Sequence, residues 1–267
     1  MGGMTNRLRQ IADAVRAAGE MSVADLAELT SASEMTVRRD LEALAAQGVL
    51  ERFRGGARSL LLRGEETPFA LRAGDGAERK RRLAAEVAGL IADGEAVVVD
   101  GGTTCLEVAR ALRGRRLTAM PLSLHSANAL AGGGRVTLLL PGGEARPGEL
   151  GLVGPLAEAS LAALRFDTAV IGCCGLTAAD GLTAYDLPEA AVKRAAIRAA
   201  RRVVAVTEGA KLTRTALAHV ADASDLDLVV TDDTAPEEAR AALAAAGTVV
   251  RVAGDAGEAV SAGDAGR

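Results

Sequence analysis

Apolar positions change their period along the chain. Over the first fifty residues they recur at three- and four-residue spacing, as Leu8, Ile11 and Val15, then Val23, Leu26 and Leu29, then Val37, Leu41 and Leu44. Each set is one face of an amphipathic helix. Gly19 fits the end of the first helix, and Ser22 starts the second with Asp25 at capping-box spacing. Ser33 can cap the third by accepting a free backbone N–H. Only Thr30-Ser31-Ala32 joins the second helix to the third, so the two must cross closely, as in a helix-turn-helix. Gly48 then ends the third helix, Val49 to Phe53 alternates as an edge strand, and Arg54-Gly55-Gly56-Ala57 makes a tight turn between cations. Three helices and a basic hairpin predict a winged helix-turn-helix over residues 1–58.

From Ala96 the apolar residues gather into short runs instead. Residues 97–99, 117–122, 136–140, 168–171, 203–206, 226–230 and 248–252 read as strands buried on both faces. Helical spacing fills the gaps at 103–112, 155–164, 189–200 and 236–246. Such alternation predicts a mostly parallel sheet covered by helices, so the fold class is α/β. Residues 79–253 form this larger domain and 254–267, rich in Gly and Ala, a disordered tail. Residues 59–78 read as a linker, because Glu65, Glu66, Pro68, Gly74 and Gly76 interrupt any steady period. Arg79-Lys80-Arg81-Arg82 precedes Leu83, Val87, Leu90 and Ile91 at helical spacing, and reads as the solvated first turn of a helix rather than a localisation signal.

Composition narrows the class. A chain of 267 residues can bury one small core and one of about 190 residues. At 49% hydrophobic and 1% aromatic, both cores are built from Ala, Leu and Val. No N-terminal apolar segment and no long uncharged apolar run is present, which predicts a cytoplasmic protein without a membrane segment. Cys105, Cys173 and Cys174 lack the paired spacing of a zinc site, so reduced thiols and no metal or cofactor are expected. The net charge of −4 falls entirely on residues 59–267, which argues against a second nucleic-acid surface there. Residues 1–58 carry eight Arg against eight Asp or Glu, so any nucleic-acid signal is local.

That local signal is on the third helix and the hairpin. Thr36, Arg38 and Arg39 lie off the apolar seam near the helix start that Ser33 caps, where a helix in a major groove meets base edges and phosphates. Arg52, Arg54 and Arg58 flank Gly55 and Gly56 in the wing, beside the expected path of phosphates. The planar guanidinium fork suits both targets. Double-stranded DNA is the expected partner, with a protein-binding winged helix as the alternative.

In the larger domain the chemistry gathers at strand exits, where ligands bind in parallel sheets. Asp100-Gly101-Gly102-Thr103-Thr104 joins a strand to a helix, with two glycines for close backbone approach, hydroxyls to donate, and free N–H groups at the helix start. This is an anion cradle suited to a phosphate, and neither a Walker loop nor a dinucleotide Gly-x-Gly-x-x-Gly. Lys211 follows another strand, and lysine is scarce here, three against 28 arginines. Gly172, Gly175 and Gly181 loosen a third exit, with Asp180, Tyr185, Asp186 and Glu189 as acceptors for hydroxyls. Glu189 and Lys193 are four apart on a helix and read as a solvated ion pair. Pro141-Gly142-Gly143-Glu144 is a further exit loop able to cover a ligand.

The helix Ser33-Glu34-Met35-Thr36-Val37-Arg38-Arg39-Asp40-Leu41, with the Arg54-Gly55-Gly56-Ala57 turn, resembles the N-terminal domain of DeoR-type transcriptional regulators. Asp100 to Thr104, Pro141 to Glu144, Gly181-Leu182-Thr183, Glu189 to Lys193, Lys211 and Val230-Thr231-Asp232 are similar to the sensor domain of the same family. The resemblance implies a sensor related in fold to sugar-phosphate isomerases. It also implies a phosphorylated sugar or metabolite as effector, which Asp100, Gly101, Gly102, Thr103, Thr104, Ser123, Gly172, Asp180, Glu189 and Lys211 would contact. A repressor acting as a homodimer or higher homo-oligomer on a repeated operator is the expected function. In place of the family's usual Thr-Asn this chain has Pro121-Leu122, so the effector would differ from the commoner ones, Ser123 and His125 would take over part of the contact, or the pocket is vestigial. The alternative from another class is an isomerase-like enzyme, with Asp100, Asp180, Glu189 and Lys211 as acid, base and electrostatic groups.

Overall fold

The computed structural model describes residues 2–46, 49–60 and 67–254, which divide into two compact units at Ala77 and Glu78. Three features read from the sequence, the helix-ending Gly48, the linker residues Glu65 and Glu66, and the tail from 255 onward, lie outside the described residues.

The first unit holds α1 (Gly2–Ala18), β1 (Glu20–Ser22), α2 (Val23–Thr30), α3 (Glu34–Ala46), β2 (Leu50–Phe53), β3 (Gly56–Ser59) and α4 (Phe69–Gly74). Leu8, Ile11 and Val15 of α1 meet Val23, Leu26, Val37, Leu41 and Leu44 in one core. Leu29 departs from its expected inward position and is 44% exposed, because α2 ends one residue later and Ser31 turns the chain through a left-handed backbone (φ 51°). Asp40 is buried on α3 and accepts two hydrogen bonds from the Arg7 guanidinium at 2.5 and 3.2 Å, which fixes α3 against α1. The antiparallel sheet runs β1-β3-β2, leaving β2 on the edge as the sequence predicts. Val49 and Leu50 are both buried while Glu51, Arg52 and Phe53 are exposed, so the expected alternation does not hold there. Residues 67–75, inside the span read as a linker, pack on α1. Leu71 joins the core, Thr67 Oγ1 donates to Asp13 at 3.2 Å, and Arg9 pairs with Asp75.

The second unit takes in α5 (Ala77–Gly89) from Glu78 on and is built on seven parallel strands: β4 (Ala96–Val99), β5 (Leu117–Pro121), β6 (Val136–Leu138), β9 (Phe166–Gly172), β12 (Ala200–Val206), β14 (Leu228–Thr231) and β15 (Val249–Val252). Their order is β15-β14-β12-β9-β4-β5-β6. One face carries Val97, Val99, Ala119, Val170, Val204, Val206 and Val230 under α5, α6 (Thr103–Leu112) and α7 (Leu124–Ala131). The other carries Val98, Met120, Ala169, Ile171, Val203, Ala205 and Val229 under α8 (Pro155–Ala162), α9 (Leu187–Ala199) and α10 (Glu237–Ala245). Apolar side chains on both faces account for the continuous rather than alternating sequence pattern. Two small antiparallel pieces complete the unit, a hairpin of β7 (Glu144–Ala145) and β8 (Leu152–Val153), and a sheet of β10 (Gly175–Thr177), β11 (Gly181–Ala184) and β13 (Ala218–Ala221). From β4 the chain proceeds outward through β5 and β6, and β9 begins the opposite side. The carboxyl ends of β4 and β9 therefore flank the topological switch point, where open parallel sheets bind ligands.

Among the described residues, no helix is long and apolar enough to cross a membrane. Lys80 is not part of a solvated first turn. It is 1% exposed and faces Glu208 at 3.6 Å, while Arg79 faces Glu208 at 3.4 Å and Asp232 at 3.7 Å.

Candidate functional site

On the first unit, Ser33 accepts from the Thr36 N–H at 3.3 Å and lies 2.9 Å from the Thr36 hydroxyl, so the expected cap is formed. Arg38 and Arg39 both project into solvent from α3. They differ in commitment, because Arg38 pairs with Glu34 at 2.6 Å and Arg39 has no ion pair or hydrogen bond among the described residues. In the wing, Arg52 pairs with Glu42 at 2.8 Å and Arg58 with Glu20 at 3.3 Å. Arg54 is exposed and, among the described residues, unpaired. Phe53 pairs with Gly56, so Arg54 and Gly55 make a two-residue turn, with Gly55 at φ 94°. A Cβ on Gly56 would lie 2.4 Å from the Met21 carbonyl oxygen and 2.6 Å from the Phe53 ring. Gly56→Ala is accordingly expected to cost about 1–3 kcal/mol by overpacking and to displace the wing, read as a lower unfolding midpoint and weaker DNA binding.

On the second unit, Asp100 leaves β4 beside Gly172 at the end of β9. Its carboxylate accepts the Gly172 N–H at 2.9 Å and pairs with the Lys193 ammonium, which also donates to the Gly172 carbonyl at 2.9 Å. Lys193 reaches Glu189 at 3.1 Å, and Glu189 accepts from Arg146 at 2.9 Å. Arg146 also lies 3.5 Å from Asp186, whose side chain caps α9 by accepting the Glu189 N–H at 2.8 Å. Burial pushes the Asp100 carboxyl up against the opposing pull of Lys193. Burial opposes the Lys193 charge too, but Asp100 and Glu189 outweigh it and hold that ammonium's pKa well above the ordinary lysine value. Burial, with Asp100 adding, raises the Cys105 thiol and keeps it neutral.

Around this ion chain the cradle has the expected form. Gly102 (φ 86°) begins α6 without a side-chain cap, and Thr103 and Thr104 are buried in its first turn. Its free N–H groups and dipole favour an anion. Ser123 caps α7 by accepting the Ser126 N–H at 3.2 Å, and a Cβ on Gly101 would sit 3.7 Å from the Ser123 Cβ. Lys211, in a short turn after β12, donates to the Cys173 carbonyl at 2.8 Å. Lys193 and Lys211 thus bond consecutive carbonyls at the exit of β9. Asp180 is not brought to this group. It sits in the exposed turn between β10 and β11, bonded by Thr177 and by Thr215 at 2.7 Å. His125 also lies elsewhere, lining a separate cleft of about 800 Å³ with Arg110, Arg113 and Asn128. Pro121 pairs with Val99, beyond the last β5–β6 partners Ala119 and Leu138, so its missing N–H costs no ladder bond.

Residues 7–61 match the DeoR-like helix-turn-helix domain, and residues 75–233 match the DeoR C terminal sensor domain. The chain belongs to the DeoR family. DeoR-family members are transcriptional regulators, and this one carries the family's two domains in sequence. It is similar to the glycerol-3-phosphate regulon repressor of Escherichia coli strain K12, at 33% identity over 87% of this chain and 92% of that protein. It is also similar to the transcriptional repressor AccR of Agrobacterium fabrum, at 32% identity over 88% of this chain and 95% of that one. Among solved structures, ribose 5-phosphate isomerase A of Methanocaldococcus jannaschii is similar at 15% identity over 51% of this chain and 55% of that one, with a TM-score of 0.39.

Two residues of this ion chain were not singled out by the sequence as candidate site residues. Lys193, read as half of a solvated pair, is 2% exposed and is bound to Asp100. Its partner is 93 positions away, and the four-residue spacing to Glu189 is common to buried and surface pairs. The usable signal was the scarcity of lysine: applied to all three lysines rather than to Lys211 alone, it marks Lys80 and Lys193 as well. Arg146, one of 28 arginines and placed in an irregular loop, carried no such signal.

Proposed function

We propose that this DeoR-family chain is a repressor of carbohydrate-related genes that leaves its operator when a phosphorylated sugar or metabolite fills the sensor site. The observation that carries this reading is the uncapped start of α6 with its buried threonines, set at the switch point of the sheet. The phosphate takes the N–H groups of Gly102, Thr103 and Thr104 and the threonine hydroxyls, with the Lys211 ammonium as counter-charge. Asp100 and Lys193 lock the ends of β4 and β9 into the shape that the cradle needs. Ser123, beside Gly101, and Glu189, paired with Lys193, take the sugar hydroxyls in this reading. The names of the relatives support the class of effector, since one is the repressor of a glycerol-3-phosphate regulon.

The winged helix reads a repeated half-site as part of a homodimer or larger closed oligomer, because symmetric assemblies match repeated sites. Release requires the effector to favour the DNA-incompetent arrangement, and a tenfold change in operator affinity takes about 1.4 kcal/mol of differential binding. Lys211→Ala is expected to keep the repressor on its operator in a gel shift at effector concentrations that release the wild type. Release of this variant at wild-type concentrations would place the phosphate away from Lys211.

A further inference from the structure

The hairpin of β7 and β8 reaches from the exit of β5 to the start of α9, and its backbone is strained at one residue. Gly142, Gly143, Gly148 and Gly154 all take left-handed backbones, and so does Leu150 (φ 52°), a branched residue for which that region is strained. The hairpin is pinned at one side, where Ser123 pairs with Gly151 and Leu124 N–H donates to the Leu150 carbonyl at 2.9 Å. At its tip, the Arg146 N–H donates to the Gly151 carbonyl, and the Arg146 side chain reaches across to Glu189 and Asp186. The guanidinium is only partly satisfied there. Its Nη groups face the two carboxylates, whereas its Nε–H is buried with no hydrogen-bond acceptor among the described residues. A buried donor left unmade is a standing cost, and a guanidinium edge of Nε and Nη is the shape that grips an oxyanion with two parallel bonds.

We propose that Arg146 is an effector-binding residue, delivered by this hairpin, which exchanges Glu189 and Asp186 for phosphate oxygens when an anionic effector occupies the cradle. The inference rests on the phosphate reading of the cradle given above. In the exchange Glu189 keeps Lys193 as its partner, so no carboxylate is left buried and unpaired. Three successive contacts, Arg146 to Glu189, Glu189 to Lys193 and Lys193 to Asp100, link the hairpin tip to the floor of the cradle, so anion capture and hairpin position move together.

The test is calorimetric titration of the full chain with inorganic phosphate, for the wild type, Arg146→Ala, Arg146→Lys, Glu189→Gln, and the double variant carrying Arg146→Ala with Glu189→Gln. Arg146→Ala is expected to weaken phosphate roughly 10- to 100-fold, the range of a charged hydrogen-bonded contact, and Arg146→Lys to fall between it and the wild type. The double variant separates contact from mere neutralisation. If Arg146 touches phosphate, the loss persists relative to Glu189→Gln alone. If it only balances Glu189, the double variant regains the affinity of Glu189→Gln, and the proposal is overturned. Wild-type affinity in Arg146→Ala and Arg146→Lys overturns it as well. Failure of the wild type itself to bind phosphate would instead overturn the reading of the cradle on which the proposal stands.

Discussion

Replacing Asp100 with alanine is expected to lower the unfolding midpoint of the sensor unit by about 6–20 °C. The Lys193 ammonium would be left in a site where it is 2% exposed, with Glu189 as its remaining anionic partner, and the Gly172 N–H would lose its acceptor. Removing one member of a buried ion pair costs about 3–5 kcal/mol, and in a unit of this size each kcal/mol moves the midpoint about 2–4 °C. The double variant Asp100→Ala, Lys193→Met should recover most of the loss, because the buried ammonium is removed along with its main partner while Glu189 keeps Arg146. Thermal unfolding of the full chain reads both. An unshifted midpoint for Asp100→Ala would show that the pair contributes nothing to holding β4 against β9, and the cradle would then need another support.

Arg39→Ala should produce the largest loss of operator affinity among the arginines of α3, about 1–3 kcal/mol, or roughly 5- to 150-fold. The reason is its freedom: Arg39 projects from the helix start without an intramolecular partner among the described residues, whereas Arg38 must first leave Glu34. Arg38→Ala is expected to cost less. A salt titration assigns the contact, since loss of a phosphate contact lowers the salt slope by about 1, and loss of a base contact leaves the slope and relaxes preference at one position. Operator binding unchanged by Arg39→Ala would remove that residue from the interface.

Much of this molecule was legible because the residues that make the elements are close in sequence. Helix α6 runs from Thr103 to Leu112 as its spacing predicts, and the seven parallel strands all fall within or beside the apolar runs. The cradle was legible for the same reason, being five consecutive residues between a strand and a helix. What escaped depends on contacts across the chain. Lys80 looked solvated because its neighbours are arginines, yet its partner Glu208 follows β12, far along the chain. Leu29 kept helical spacing but α2 stops too soon to bury it. The hairpin bearing Arg146 was read only as a loop after Gly142 and Gly143, since strands of two residues leave no period to detect.

The central claim is that a phosphate group bound at the start of α6 changes the grip of the winged helix on DNA. The most direct measurement is a gel shift of the full chain on its operator, titrated with a panel of sugar phosphates, each beside its dephosphorylated sugar. The account predicts that at least one phosphorylated compound releases the operator while its unphosphorylated partner does not. Release by a free sugar at the same concentration as by its phosphate ester would contradict it.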